Sequence, residues 1–137
     1  MVTLDRHSAM QYSPLTLAFL GDAVYEQLVR ERLVLTANMP VNKLHKLAVE
    51  RVRASYQSSG VAAVEDMLTE DELAVYKRGR NAGGHTPPKS SDAVGYRRAT
   101  GLDSLFGYLY LTGASERISE LFDVIWNSGE EKENDRC

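Results

Sequence analysis

Leu17-Ala18-Phe19-Leu20-Gly21-Asp22-Ala23-Val24-Tyr25-Glu26 reads as the middle of a helix. Leu17, Leu20, Val24 and Leu28 fall on one stripe at helical spacing. Gly21 and Asp22 interrupt that pattern, where packing alone would favour alanine and leucine. Glycine inside a helix costs about 1 kcal/mol against alanine. A carboxylate among apolar residues costs more again unless something compensates it. Two local rules broken side by side point to a functional site rather than plain scaffold.

Working outward, helix signals recur and strand alternation does not, so the expected class is all-α. Ser13-Pro14 fits a helix N-cap with proline in the first turn, and Asn38 near Pro40 marks the end of that helix. Pro40 opens a second helical region through Leu44, Leu47, Ala48 and Val52, with a break expected near Ser58-Ser59-Gly60. Thr69-Glu70-Asp71-Glu72 is a capping box that starts a short helix through Leu73 and Tyr76. Residues 81–91, rich in glycine, proline and serine, form the one clear loop. A helix follows from about Asp92 to Thr112, with Gly113 placed for its end. The last helix uses Ile118, Leu121, Phe122 and Ile125 and is expected to end near Gly129. The domain is therefore expected to span 1–129, with 130–137 a disordered charged tail.

With 137 residues and 43% hydrophobic content, the chain has the size and composition of one domain with a real core. No run approaches the roughly 18 apolar residues of a membrane span, and the N-terminus lacks a signal pattern. The single cysteine, Cys137, excludes an internal disulfide and, with no metal spacing among the three histidines, a zinc site. These features lead us to expect an intracellular, cytoplasmic protein without a membrane partner. The net charge of −3 hides an asymmetry: residues 77–98 carry six basic side chains against Asp92 alone, while 99–137 are net acidic. Such a block is either a solvated face or the place where an anionic partner is met.

Three carboxylates invite a chemical reading. Asp22 and Glu26 are four apart on one helix face, and Asp103 sits in apolar surroundings on the helix of 92–112. Gly21 and Gly107 would let those two helices approach closely; if they cross there, Asp22 and Asp103 meet. Converging carboxylates repel, and a hard divalent cation such as Mg2+ relieves the repulsion while keeping waters as further ligands. The other reading of the same residues is structural, with Asp22 hydrogen-bonded in the core and Asp103 paired with an arginine. Lys77-Arg78-Gly79-Arg80-Asn81 is either the basic end of a helix favoured by its dipole or a phosphate-binding cluster.

Taken together, these stretches resemble the ribonuclease III family. Leu17 to Val24 is similar to the family's signature helix, and Asp103-Ser104-Leu105-Phe106-Gly107-Tyr108-Leu109-Tyr110-Leu111 to its second acidic helix. Leu44-His45-Lys46, Lys77-Arg78-Gly79-Arg80-Asn81-Ala82, Thr86 with Pro88-Lys89, and Tyr96-Arg97 resemble the Mini branch, which has the nuclease domain without a double-stranded-RNA-binding domain. The resemblance implies an all-α homodimer that binds double-stranded RNA and hydrolyses it with magnesium, leaving 5′-phosphate and 3′-hydroxyl ends. In the Mini branch it implies trimming of precursor large-subunit (23S) ribosomal RNA.

Carried over by residue, the resemblance makes Asp22 and Asp103 the catalytic and metal-holding acids; Glu26, one turn beyond Asp22, is our own candidate for a replacement ligand, directly or through water. Within the motifs of that resemblance Lys77, Arg78, Arg80, Asn81, Lys89 and Arg97 are the expected RNA contacts, and His85 joins them from its place in the 81–91 loop. The chain departs from the larger enzymes at Leu15, Ala18 and Thr100, which replace acids, and at Asp103, which replaces a longer glutamate. The reduced acid set motivates the alternative of a non-catalytic double-stranded-RNA-binding or ribosome-associated helical dimer. A protein-interaction bundle is a third class, marked by failure to bind duplex RNA.

Overall fold

Among the described residues the longest buried run lies on one helix, and the others pack around it. A computed structural model describes residues 3–82 and 93–135, and it contains helices and no strand among them. The helices are α1 (Arg6–Met10), α2 (Pro14–Thr36), α3 (Val41–Val52), α4 (Ala54–Val64), α5 (Glu70–Arg80), α6 (Ala93–Leu111) and α7 (Ser115–Asp135). A single 3-10 turn, Glu65–Met67, joins α4 to the segment before α5. Every residue from Ser104 to Leu109 on α6 is buried, a full circumference, because α2, α4, α5 and α7 all pack against this helix. A helix apolar on all sides belongs at the centre of a bundle.

The closest approach is between α2 and α6. A Cβ on Gly21 would overlap the carbonyl oxygen of Asp103, and one on Gly107 would overlap the carbonyl of Leu17. Each helix therefore offers a glycine to the other's backbone, as expected from the sequence, and no larger residue fits either place without moving a helix. The core around this crossing is closed by Tyr25, Phe106 and Phe122; the Tyr25 ring lies 5.6 Å from each of the other two.

Several boundaries follow local chemistry. Ser13 is the N-cap of α2 with Pro14 in the first turn, though its side chain makes no capping hydrogen bond. The capping box of α5 is complete: Glu72 N donates to Thr69 Oγ1 at 3.2 Å and Thr69 N to Glu72 Oε1 at 2.9 Å. Gly113 has φ +73°, the left-handed conformation that ends α6.

Three expectations change. α1, capped by the Asp5 side chain, was not signalled by any apolar period. The break in the second helical region comes at Arg53, while Ser58, Ser59 and Gly60 lie inside α4. Gly60 is there because Ile125 occupies the space a Cβ would need. Finally, α7 does not stop at Gly129 but continues to Asp135, so the segment expected to be a disordered tail begins as helix. Gly129 sits against the Tyr56 hydroxyl and serves packing rather than termination.

Candidate metal and nucleic-acid site

Because α2 and α6 touch at glycines, the residues beside those glycines share a space. That space is an open cavity of about 340 Å3 lined by Leu15, Ala18, Phe19 and Asp22 from α2, Val52 from α3, Gln57 from α4, and Tyr96, Ala99, Thr100 and Asp103 from α6. Its walls are mostly apolar, and its ionisable groups are Asp22, Asp103 and the Tyr96 phenol.

The two carboxylates have different surroundings. Asp22 is exposed at the rim, and no hydrogen bond or ion pair holds it among the described residues. Asp103 lies deeper, and its Oδ1 accepts a 3.0 Å hydrogen bond from Gln57 Nε2. Burial lifts the Asp103 carboxyl well above the ordinary carboxylate range, the Asp22 charge adds to the rise, and the Gln57 hydrogen bond opposes it. Asp22 is raised as well, by partial burial first and by Glu26 second. The structural alternative required Asp103 to meet an arginine, and its side-chain partner is instead a neutral amide.

Glu26 does not line the cavity; its Oε1 accepts a 3.2 Å hydrogen bond from Arg30 in an i, i+4 ion pair. Among the described residues no third Asp, Glu, His or Cys joins a metal-binding group. Leu15 and Ala18, the positions of extra acids in the larger enzymes the sequence resembles, are cavity wall. The donors present are thus two carboxylates with raised proton affinity, and no cationic side chain pairs with either among the described residues. Hard oxygen ligands with space for water around them suit Mg2+.

The basic cluster occupies the last turn of α5. Gly79 rests against Ser104 and Gly101, so this turn abuts α6 one residue from Asp103. Lys77 is exposed. Arg80 lies over the Tyr76 ring at 5.7 Å and donates from Nε to Asn81 Oδ1 at 3.1 Å. Arg78 is already engaged: its guanidinium donates to the Met10 carbonyl at 3.0 Å and the Tyr12 carbonyl at 3.2 Å, tying α5 to the segment before α2. Arg97 is exposed on α6, next to the cavity residue Tyr96. His85 and Lys89 lie outside the described residues.

Comparison with known proteins fits this geometry. The Ribonuclease III domain family matches residues 15–114, which includes both acids and the basic cluster. The chain belongs to the ribonuclease III family. It is 50% identical over 111 residues to the Mini-ribonuclease 3 of Symbiobacterium thermophilum, covering 81% of this chain and 85% of that one. Against the Mini-ribonuclease 3 of Thermoanaerobacter sp. (strain X514) it is 42% identical over 121 residues, covering 88% and 85%. A crystal structure of a Fusobacterium nucleatum protein superposes with a TM-score of 0.77 at 32% identity, covering 85% of this chain and 93% of that one.

Gln57 is the polar cavity residue the sequence did not single out. It stands in Tyr56-Gln57-Ser58-Ser59, a polar run with no period to mark it. Its role depends on a contact across 46 positions.

Proposed function

We propose that this protein is an endoribonuclease that cleaves double-stranded RNA by Mg2+-assisted hydrolysis of a phosphodiester. The observation that carries the reading is the Asp22 and Asp103 pair, brought into one open cavity by a glycine-to-glycine helix crossing. A divalent cation bound there would supply an activated water and stabilise the charge on the phosphodiester under attack. The chain's own residues do the rest. Asp22 and Asp103 hold the cation, and the apolar walls formed by Leu15, Ala18, Val52 and Ala99 limit competing solvent. Lys77, Arg80, Asn81 and Arg97, with Arg78 where its backbone contacts allow, bind strand phosphates beside the cavity. Duplex RNA is recognised chiefly by shape, phosphate and 2′-hydroxyl, which suits a basic edge beside the cavity.

The same reading makes the enzyme a homodimer. Phe19 is 85% exposed at the cavity rim with Leu15 one turn before it, an apolar pair that calls for cover. A second subunit would double the basic edge and match the two strands of a duplex. The proposed substrate is a precursor of large-subunit ribosomal RNA, with which likeness to proteins named Mini-ribonuclease 3 is consistent, and the proposed location is the cytoplasm. No described helix is long and apolar enough to cross a membrane.

The two-carboxylate site favours one competing reading, a duplex-binding dimer without cleavage. An end-labelled RNA duplex incubated with the protein in Mg2+ or in chelator separates them. Discrete cleavage that needs Mg2+ and is lost in Asp22→Asn supports the nuclease. Retention of the duplex without cutting at any ionic strength supports the binder, and no retention at low salt overturns both.

A further inference from the structure

Gln57 is 4% exposed, and a side-chain amide that deep in a protein must be hydrogen-bonded to be tolerated. It contributes to the cavity wall, and its Nε2 donates to Asp103 Oδ1 at 3.0 Å. We infer that Gln57 is a positioning residue for the metal-holding carboxylate: it fixes Oδ1 of Asp103 and leaves the other oxygen to the cation. This rests on the metal reading of the site given above.

The position of Gln57 is itself well determined. It follows Tyr56, whose hydroxyl accepts from the Arg51 guanidinium and sits where a Cβ on Gly129 would have to go. Arg51 in turn lies over the Trp126 ring at 3.9 Å. Gly60, three residues on, leaves space for Ile125. These contacts seat α4 on α7, so the amide meets Asp103 from a fixed platform rather than from a loop.

The chemistry of an amide suits the task. Only its N–H end can bond an ionised carboxylate, so its orientation is set by Asp103. An arginine in that place would offset half of the pair's charge and weaken its attraction for a cation, and a carboxylate would add a third repelling charge. A neutral donor orients the ligand and leaves the charge of the site unchanged. Asp103 stands where the larger enzymes carry a glutamate, and its shorter arm, tied at one oxygen, has little freedom to miss the metal. Hydrogen bonds of this kind to ligating carboxylates are typically worth about 10–100-fold in metal affinity.

The test reads metal binding directly, using Mn2+ as the probe and the spectroscopic signal of free Mn2+ as the measure, with full-length protein and no RNA. Gln57→Met keeps the length of the side chain and removes the donor. Mn2+ affinity is expected to fall about tenfold, with duplex-RNA binding in chelator unchanged. Gln57→Asn, which keeps the amide but draws it out of reach, is expected to behave alike and serves if the methionine variant does not fold. In an Asp103→Glu background the longer arm carries the carboxylate past the amide, so Gln57→Met should cost less than twofold. An affinity within twofold of wild type in both Gln57 variants overturns the inference, as does an equal loss in the Asp103→Glu background, which would mean that Gln57 acts through packing. If wild-type protein binds no Mn2+, the metal reading fails and the role of Gln57 with it. If wild type binds and the Gln57 variants bind equally, only the role of Gln57 fails.

Discussion

Glu72, in the first turn of α5, and Asp103, in the middle of α6, are both carboxylates taken largely out of water, and the chain surrounds them differently. Glu72 receives Arg117 through two nitrogens at 2.8 and 2.9 Å and closes the capping box with Thr69. Arg117 also reaches the Met67 carbonyl at 2.6 Å and Glu120. Burial pushes the Glu72 carboxyl up, and the Arg117 and Thr69 hydrogen bonds outweigh it, leaving it below its ordinary value. Asp103 has the same burial problem with a second acid nearby and one neutral amide for help, so it ends well above its ordinary value. A protein that satisfies one buried carboxylate this fully and leaves another with a single neutral amide supports the proposal that the second is held for a ligand.

The contrast breaks most sharply on activity. Asp22→Asn removes half of the charge that would hold a cation and is expected to reduce cleavage about 10^3-fold or more, while circular dichroism and oligomeric state stay as in wild type. Turnover close to wild type would move the chemistry away from this cavity. The converse experiment is Arg117→Ala. It strands Glu72 without its cation partner and should cost about 3 kcal/mol of stability, read by denaturant unfolding, with cleavage per folded molecule unchanged. A loss of activity without a loss of stability would mean that the Glu72 cluster belongs to the site after all.

How much of this was legible in the sequence depended on the reach of each interaction. The capping box spans four residues and was fully readable, and so was the Gly113 stop. The α2–α6 crossing was readable because both helices carry a glycine beside an acid, Gly21-Asp22 on one and Asp103-x-x-x-Gly107 on the other. Gly60 and Gly129 were misread as punctuation, because a glycine emptied for Ile125 or Tyr56 looks locally the same as a helix stop. The Arg117–Glu72 pair joins residues 45 apart and the Gln57–Asp103 bond 46 apart. Nothing near either residue signals its partner. Arg78 carries the same lesson: its place in a basic run suggested phosphate, and its tertiary contacts are two backbone carbonyls.

Arg80 sharpens the comparison at the edge of the site. Its contacts are local, a stack on Tyr76 one turn back and a hydrogen bond to the neighbouring Asn81, so its charge is available to a ligand in a way that of Arg117 is not. Arg80→Ala should weaken duplex-RNA binding and reduce the slope of log affinity against log salt by about 1. Arg78→Ala should change that slope less and stability more. Equal slopes for wild type and Arg80→Ala would remove Arg80 from the interface.

The smallest effect is also the one whose sign separates the two carboxylates most cleanly. Glu72 has a lowered value, so its contribution is present above the unfolded carboxylate range and is lost as pH falls through the folded value. Asp103 has a raised value, so in the metal-free protein the folded state holds a proton that the unfolded state has already released. Stability then falls as pH rises from the ordinary carboxylate range through the raised folded value. Asp103→Asn keeps the shape, still accepts from Gln57 through its amide oxygen, and removes the charge. Thermal unfolding in chelator at neutral pH should therefore give a midpoint at or above that of wild type, and the decline with rising pH should flatten. Added Mg2+ should reverse the order, because a cation that binds only the folded protein stabilises wild type by mass action and has lost a ligand in the variant. A variant less stable than wild type in chelator would show that the Asp103 charge is paired in the folded protein. The difference between the two carboxylates would then disappear.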